Sequence, residues 1–307
     1  MTPAFDVVAL GEPMIEFNQT RPGEPHYLQG YGGDTSNMIV AAARSGASTA
    51  YVTRLGDDAF GRLFLELWAQ EGVDARGVRI DAAAHTGVYF VKHGPQGHEF
   101  SYLRAGSAAS RMRPADLPLE TLRAARCVHA SGISMAISAS AADAVLAVFE
   151  AARGTGAKVS FDPNLRLKLW PLARARALVA AATAMADYFF PSLEDARLLS
   201  GLEDADAALD WAHRQGAKHV LLKLGAAGVI ASDGARRERI PGVRVQAVDG
   251  TGAGDCFCGA ALARLAAGDD LFAAARYANA AAALKTTGFG AVAPIPWPEA
   301  VRRLLAG

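Results

Sequence analysis

The chain has 307 residues, 51% hydrophobic and 20% charged, and its 31 Lys+Arg balance its 31 Asp+Glu. That length allows one large α/β domain or two small ones with a sizeable core. A net charge of zero excludes a global basic field for nucleic acid or an anionic membrane, so any anion must be held by a local cluster. Cys127, Cys256 and Cys258 are too few and too unevenly placed for a disulfide framework. The CxC pair at 256 and 258 has no second Cys/His pair nearby to complete a zinc site. The opening "MTPAFDVVALGEP" lacks a basic leader region, and no apolar run approaches the ~18 residues of a membrane span. A cytoplasmic protein with no membrane partner is expected.

Taken in chain order, "FDVVAL" (5–10) reads as a first buried strand, and "EFNQTRPGEPHYLQG" (16–30) is polar and turn-rich. "SNMIVAAARSG" (36–46) has helical spacing up to a glycine stop, "TAYVTRLG" (49–56) is strand-like, and "AFGRLFLELWAQEG" (59–72) is a second helix. "TGVYFVKHGPQGHEFSYLRAG" (86–106) reads as a hairpin of aromatic and β-branched strands around "HGPQG". Short β-rich runs follow at 127–132, 158–164, 188–192 and 219–225, with amphipathic helices at 140–153, 172–184 and 205–215 between them. Such alternation predicts an α/β fold with a mostly parallel sheet covered by helices on both faces and ligands beyond the carboxyl ends of its strands. Residues 16–30 and 86–106 break that pattern, and we expect them to pair as a small β sheet. It would form a lid (12–30 and 86–105) over a main domain (1–11, 31–85 and 106–307); the alternative is an extension of the main sheet. His93 and His98 flank the hairpin turn without an acidic cluster and read as a solvated turn, whereas His129 reads as core.

The segment "VDGTGAGDCFCGA" (248–260) carries the strongest chemical signal. It matches neither GxxxxGK[ST] nor GxGxxG after a strand. Gly252, Ala253 and Gly254 lack bulk, so a phosphate can approach their backbone N–H groups where a helix begins. Asp255 would lie in the first helical turn, where the helix dipole holds it ionised. An ionised carboxylate beside a phosphate hole can take the proton of an attacking hydroxyl, the arrangement for phosphoryl transfer to an alcohol. The plainer reading is an N-cap Asp after a glycine turn.

This loop resembles the C-terminal signature of the PfkB (ribokinase-like) carbohydrate kinases. "GGDTSNMIVAAARSG" (32–46) is similar to their N-terminal signature, and "RLGDDAFG", "FDPNLR", "FPSLEDARLLSG", "LLKLGAAGV" and "YANAAAAL" follow in the family's order. Thr35 and Gly250 depart from the two signatures without removing a reacting group. The resemblance implies a ribokinase-like three-layer sandwich that binds ATP and Mg2+. It makes Asp255 the base and the backbone of Gly252, Ala253 and Gly254 the anion hole. It places Asn37 on the sugar hydroxyls or in ordering the loop. Asn164, Ser192, Lys223, Gly225 and Gly228 would surround the nucleotide, with Asn279 near the adenine. Glu194 in "SLED" would serve Mg2+, although Ser192 replaces the family's Asn there. Asp249 and Thr251 match positions that often hold a monovalent cation (K+) in relatives.

Arg104 in "SYLRAGSA" and Arg166 in "DPNLR" bear on the acceptor, because Arg forks bind carboxylates bidentately and keep their charge. "GEP", "GVYF", "YLRAGSAAS", "HASGI" and "FDPNLR" look like 2-keto-3-deoxygluconate kinases within the family. That resemblance implies a sugar-acid substrate held by Gly33, Tyr89, Tyr102, Arg104 and Arg166. Some such enzymes carry an acid in the loop that here reads "TTGFGAVAP" (286–294), which has none. The plainer reading of the arginines is a surface salt bridge each. A kinase for a neutral sugar such as fructose or ribose, and a non-catalytic sugar-acid sensor, are the competing functions. The apolar strand 86–91 suggests a covered surface, and a homodimer through the lids is expected.

Overall fold

In β1 (Phe5–Leu10), Val7 and Ala9 join one apolar cluster while Val8 and Leu10 join another, and none is more than 1% exposed. A strand buried on both faces belongs at the centre of a sheet with a helical layer on each side. The structure, a computed structural model, describes residues 3–94 and 97–306. Along them run β2 (Met14–Gln19), β3 (Tyr27–Gly32), α1 (Asp34–Arg44), β4 (Thr49–Gly56), α2 (Ala59–Gln70), β5 (Val73–Asp74), β6 (Val78–Asp81), β7 (Gly87–Gly94) and β8 (Gly97–Leu103). Next come α3 (Leu119–Arg123), β9 (Ala125–Ser131), α4 (Gly132–Ala136), α5 (Ala139–Thr155), β10 (Lys158–Asp162), α6 (Leu172–Thr183), β11 (Tyr188–Phe189), α7 (Leu193–Ser200) and α8 (Ala205–Arg214). The chain finishes with β12 (His219–Lys223), β13 (Gly228–Ser232), β14 (Arg237–Pro241), α9 (Ala253–Ala266), α10 (Leu271–Lys285) and α11 (Pro298–Ala306).

The main sheet has the order β14-β13-β12-β11-β10-β9-β1-β4-β5, with β6 also on β4. It is parallel from β5 to β12 and antiparallel only at β13 and β14. Residues of α1, α2, α9 and α10 share one core cluster, and those of α5, α6, α7 and α8 share the other, which gives the three layers. The sequence runs at 5–10, 49–56, 59–72 and 219–225 fold as expected. The run at 188–192 yields only a two-residue strand, after which Ser192 makes an isolated bridge to Lys223.

Helices α1 and α9 pack unusually close. A Cβ on Gly259 would collide with the Met38 carbonyl oxygen and stand 2.8 Å from Ala41 Cβ. A small residue is therefore required where the two backbones cross, and that contact fixes the side chains at the start of both helices relative to each other.

The segments that broke the pattern do pair into a sheet of their own, ordered β3-β2-β7-β8, so they are not an extension of the main sheet. Ile15 and Val88 lie in the main core, with Phe17 and Phe90 packed against it; Met14, Tyr89 and Val91 form a small cluster with Phe100. The apolar side chains of 86–91 are thus covered by their own chain, contrary to the reason given for a partner surface. The exposed apolar groups of this sheet are instead Leu28 and Leu103, each 61% exposed, and Tyr102, 43% exposed. His93 is not simply solvated, since its Nε2 lies 2.7 Å from Asn18 Oδ1. Pro95 and Gln96 of the expected turn lie outside the described residues, as does the side chain of His98. Among the described residues no helix is long and apolar enough to cross a membrane.

Candidate active site

Parallel strands bring their carboxyl ends to one edge of the sheet. There β10 ends at Asp162 and β12 at Lys223, whose ammonium donates to Asp162 Oδ2 at 2.5 Å. Burial opposes a charge on Lys223, but the Asp162 carboxylate beside it raises its pKa. The chain leaves β10 through an Asx turn in which Asp162 Oδ1 accepts from Asn164 N at 3.1 Å. This turn holds Asn164 at φ +30°, on the left-handed side that few non-glycine residues occupy. Its Nδ2 then donates to Asp34 Oδ2 at 2.9 Å, at the first turn of α1.

One turn further along α1, Asn37 Nδ2 donates to Asp255 Oδ2 at 2.8 Å. Asn37 therefore orders the expected base. Its own Oδ1 is buried without a hydrogen-bond partner among the described residues. Asp255 occupies the first turn of α9, as expected, but the helix dipole does not keep it an ordinary carboxylate. Desolvation pushes its pKa up to about 7; repulsion from Asp34 adds to this and Asn37 opposes it, with Asp162 raising and Lys223 lowering it further. A base whose pKa lies near neutrality suits proton transfer better than an unperturbed Asp.

Before Asp255, Gly252 takes φ +76°, so the chain turns into α9 with amides facing outward. Of the three expected anion-hole residues, Ala253 is already engaged, donating to Gly250 O at 3.1 Å. The amides of Gly252, Gly254 and Asp255 have no hydrogen-bond partner among the described residues. A Cβ on Gly254 would lie 3.4 Å from Lys223 Nζ, so a fixed cation stands beside these amides. Asp162 and Asp34 were not assigned roles from the sequence, although "FDPN" and "GGDTSN" contain them; Lys223 was expected at the nucleotide, but not its pairing with Asp162. Thr35 fits without strain, its Oγ1 bonded to Tyr51 Oη at 2.8 Å, and Gly250 has open space around it.

The other expected nucleotide positions surround this edge. Ser192 caps α7 by accepting from Asp195 N at 3.0 Å, and Asp195, not Glu194, points inward to accept from Leu165 N at 3.2 Å. Glu194 is exposed, with no ion pair among the described residues. Gly225 takes φ +59°, and Gly228 takes φ +101° pressed against Ile240 and Gly242, so the "KLGAAG" turn folds onto the end of β14. Asn279 Nδ2 holds Pro241 O of the same strand at 2.8 Å. Asp249 and Thr251 chiefly bind each other: Thr251 N and Oγ1 donate to Asp249 Oδ1 at 2.9 and 2.7 Å, and Gly290 N donates to Oδ2 at 2.9 Å. Burial works against ionisation of Asp249, yet these hydrogen bonds lower its pKa.

The small sheet and the residues just after its strands supply Gly33, Tyr89, Tyr102 and Arg104, while Arg166 follows β10 of the main sheet. Tyr89 is buried and donates to Glu16 Oε2 at 2.5 Å; Gly32 must be a glycine because a Cβ there would strike the Tyr89 ring. Gly33 takes φ +93° hard against the Glu12 carbonyl. Tyr102 stacks on Tyr89 with centroids 5.9 Å apart, and the Arg104 guanidinium lies 5.7 Å from the Tyr102 ring centre. Arg104 is not a free fork. Its Nε donates to the fully buried carboxylate of Glu12 at 2.8 Å, its Nη2 and Ser107 Oγ close on the same carboxylate. Arg166 is exposed and bonds only the carbonyl of Leu165 at 2.9 Å, with no ion pair among the described residues. Glu12 and Glu16 are thus two buried acids that sequence reasoning passed over, although "GEP" holds the first. Glu16 Oε1 also reaches the acid-free loop after α10, lying 3.5 Å from where a Cβ of Gly290 would be.

Glycine-framed amides, a buried carboxylate and a fixed lysine at the carboxyl edge of a three-layer α/β sheet define a phosphotransferase that acts on an alcohol. The match to the family described as "pfkB family carbohydrate kinase" spans residues 4–298, and the chain belongs to that family. It is 34% identical to fructokinase-1 of Oryza sativa subsp. japonica over 97% of each chain. It is 33% identical to the 2-dehydro-3-deoxygluconokinase of Thermoproteus tenax, covering 98% of this chain and 94% of that one. The structure of a fructokinase with bound ATP from Xylella fastidiosa superposes with a TM-score of 0.90 at 28% identity, covering 98% of both chains. The ribokinase-like fold and the carbohydrate-kinase class follow; the two kinds of sugar kinase are equally similar in sequence.

Proposed function

We propose that this kinase transfers the γ-phosphoryl group of ATP to the terminal hydroxyl of 2-dehydro-3-deoxy-D-gluconate. The observation that carries the acid reading is Arg166. It makes no ion pair among the described residues, feeling only the longer-range attraction of Asp195, and it stands just past the Asx turn that ends at Asn164. An exposed guanidinium there with no directly bonded carboxylate suits a substrate carboxylate. A second reading, a neutral sugar such as fructose, is favoured by a different observation: Glu12 already neutralises Arg104, and Glu16 offers a carboxylate for hydroxyl groups.

ATP, which the Xylella relative binds, would lie along the edge formed by Asn164, Ser192, Lys223, Gly225, Gly228 and Asn279. The exposed Glu194 carboxylate is suited to Mg2+, which takes few protein ligands and keeps its waters. When bound, Mg2+ neutralises charge on the transferring phosphoryl group. Gly252, Gly254 and Asp255 amides would receive that group, with Lys223 behind them. The sugar would sit against Gly33, Tyr89 and Tyr102, and the buried orphan Asn37 Oδ1 is an acceptor that a sugar hydroxyl can satisfy. Asp255 takes the hydroxyl proton as the new O–P bond forms and the bond from the γ-phosphorus to ADP breaks, ADP leaving with that bridging oxygen. The small sheet acts as a lid that excludes water from the site.

Turnover of 2-keto-3-deoxygluconate beside fructose and ribose tests the proposal. Arg166→Gln should raise KM for the keto acid about tenfold or more, as loss of one charge-assisted contact does, while leaving fructose kinetics unchanged. Exclusive turnover of a neutral sugar would overturn the acid reading and keep the kinase.

A further inference from the structure

Lys285 is the last residue of α10 and is 0% exposed, an unusual setting for an ammonium. A buried lysine needs acceptors and compensating charge. Its Nζ donates to the backbone carbonyl of Asp249 at 3.0 Å. The groups that face it electrostatically are Asp249, Cys256, Asp255 and Glu16. Burial lowers its pKa, and all four of these partners oppose that shift.

The same place is where two segments are stitched together. Val248 N and Asp249 N donate to Thr286 O at 2.7 and 3.0 Å, and Gly290 N donates to Asp249 Oδ2 at 2.9 Å. The end of α10 thus presents its C-terminal carbonyls and receives a loop that carries an ionised Asp249. Both are negative, and a cation is favoured there. Thr251 and Gly290 already bond both Asp249 carboxylate oxygens. The amides of Gly252, Gly254 and Asp255 follow that loop directly.

We infer that Lys285 is a positioning residue whose ammonium stands in for a bound monovalent cation, holding the 248–251 loop and through it the phosphate-binding amides. The inference rests on the kinase reading for its effect on rate, and on geometry alone for its effect on stability. The enzyme therefore needs no added K+.

The test compares K+ with tetramethylammonium at equal ionic strength. Wild-type kcat should be unchanged between the two salts, and so should its melting temperature. Lys285→Met and Lys285→Ala should lose about 100-fold in kcat, the order expected for displaced phosphate-binding groups, with KM for the sugar little changed. Lys285→Ala should regain part of its rate and of its melting temperature with K+ or ethylammonium, because a cation that binds only the native state stabilises it. A wild type activated or stabilised by K+ overturns the inference, as does a Lys285→Met enzyme with full kcat in tetramethylammonium. The wild-type comparison decides the matter even if both variants fail to fold. If no sugar is phosphorylated, the proposed function fails, while the wild-type melting comparison still judges Lys285.

Discussion

With a pKa of about 7, Asp255 is half-protonated near neutral pH in the free protein. As the proposed base, Asp255 must be ionised, so kcat/KM for the sugar should rise with pH and level off above about 7. A pH–rate profile flat from pH 5 to 8 would contradict this, those limits being about the range over which such a group titrates. Asp255→Asn keeps the shape of the side chain and removes the base; a fall in kcat of about 10²–10⁴ with ATP affinity retained by calorimetry is expected. The same shift has a consequence for folding. The group's ordinary value is 3.8 and its native value is about 7, so in that window the folded chain binds more protons than the unfolded one. Stability from this group therefore falls as pH climbs through the window, and the full cost of a buried charge is present above it. Asp255→Asn should melt at a higher temperature than the wild type at pH 8, with the difference disappearing below the unfolded pKa of 3.8. An unchanged or lower melting temperature at pH 8 would show that the carboxylate is not desolvated.

At the scale of elements, the proposed base and its orienting residue come from different helices. Asn37 is near the start of α1, Asp255 is near the start of α9, and the two helices meet through Gly259. Gly259→Ala places a methyl group against the Met38 carbonyl. It should cost roughly 1–3 kcal/mol of stability, measured by denaturant unfolding, by overpacking. It should also depress kcat by separating Asn37 from Asp255, whereas Gly250→Ala, in open space, should do neither. The contrast explains what the sequence could reveal. Asp255 and its glycines are adjacent in the chain, so their spacing, together with the family resemblance, exposed them. Buried strands such as 5–10 and 219–225 were readable because continuous apolar runs of that length pack in few ways. Asn37 and Asp255 lie 218 residues apart, and Arg104 and Glu12 lie 92 apart. Those pairs exist only once strand order is set, which no local pattern encodes. The Glu12 partner changed the meaning of Arg104 for that reason, and nothing in the local pattern marks Lys285 as buried.

At the scale of the whole molecule, the small sheet leaves two edges, β3 and β8, without a strand partner among the described residues. Leu28 on β3 and Leu103 on β8 expose most of their side chains. We propose that a second copy of the chain covers them, giving a homodimer through the lids. Light scattering should report twice the chain mass, and Leu28→Lys with Leu103→Lys should report the single chain with its fold intact. A wild type that is monomeric at high concentration would remove the proposal.

The small sheet enters the chain as two short excursions, β2–β3 between β1 and α1 and β7–β8 between β6 and α3. Neither contributes Asp255, the glycine amides or Lys223. Mutation can therefore redecorate the excursions and leave the transfer chemistry untouched. Under such an arrangement, descent can explore new acceptors on one part of the chain while inheriting the reaction on the other. Ketose and keto-acid kinases could then diverge from a common ancestor by change in the excursions and at Arg166, which lies outside them, without passing through an inactive form.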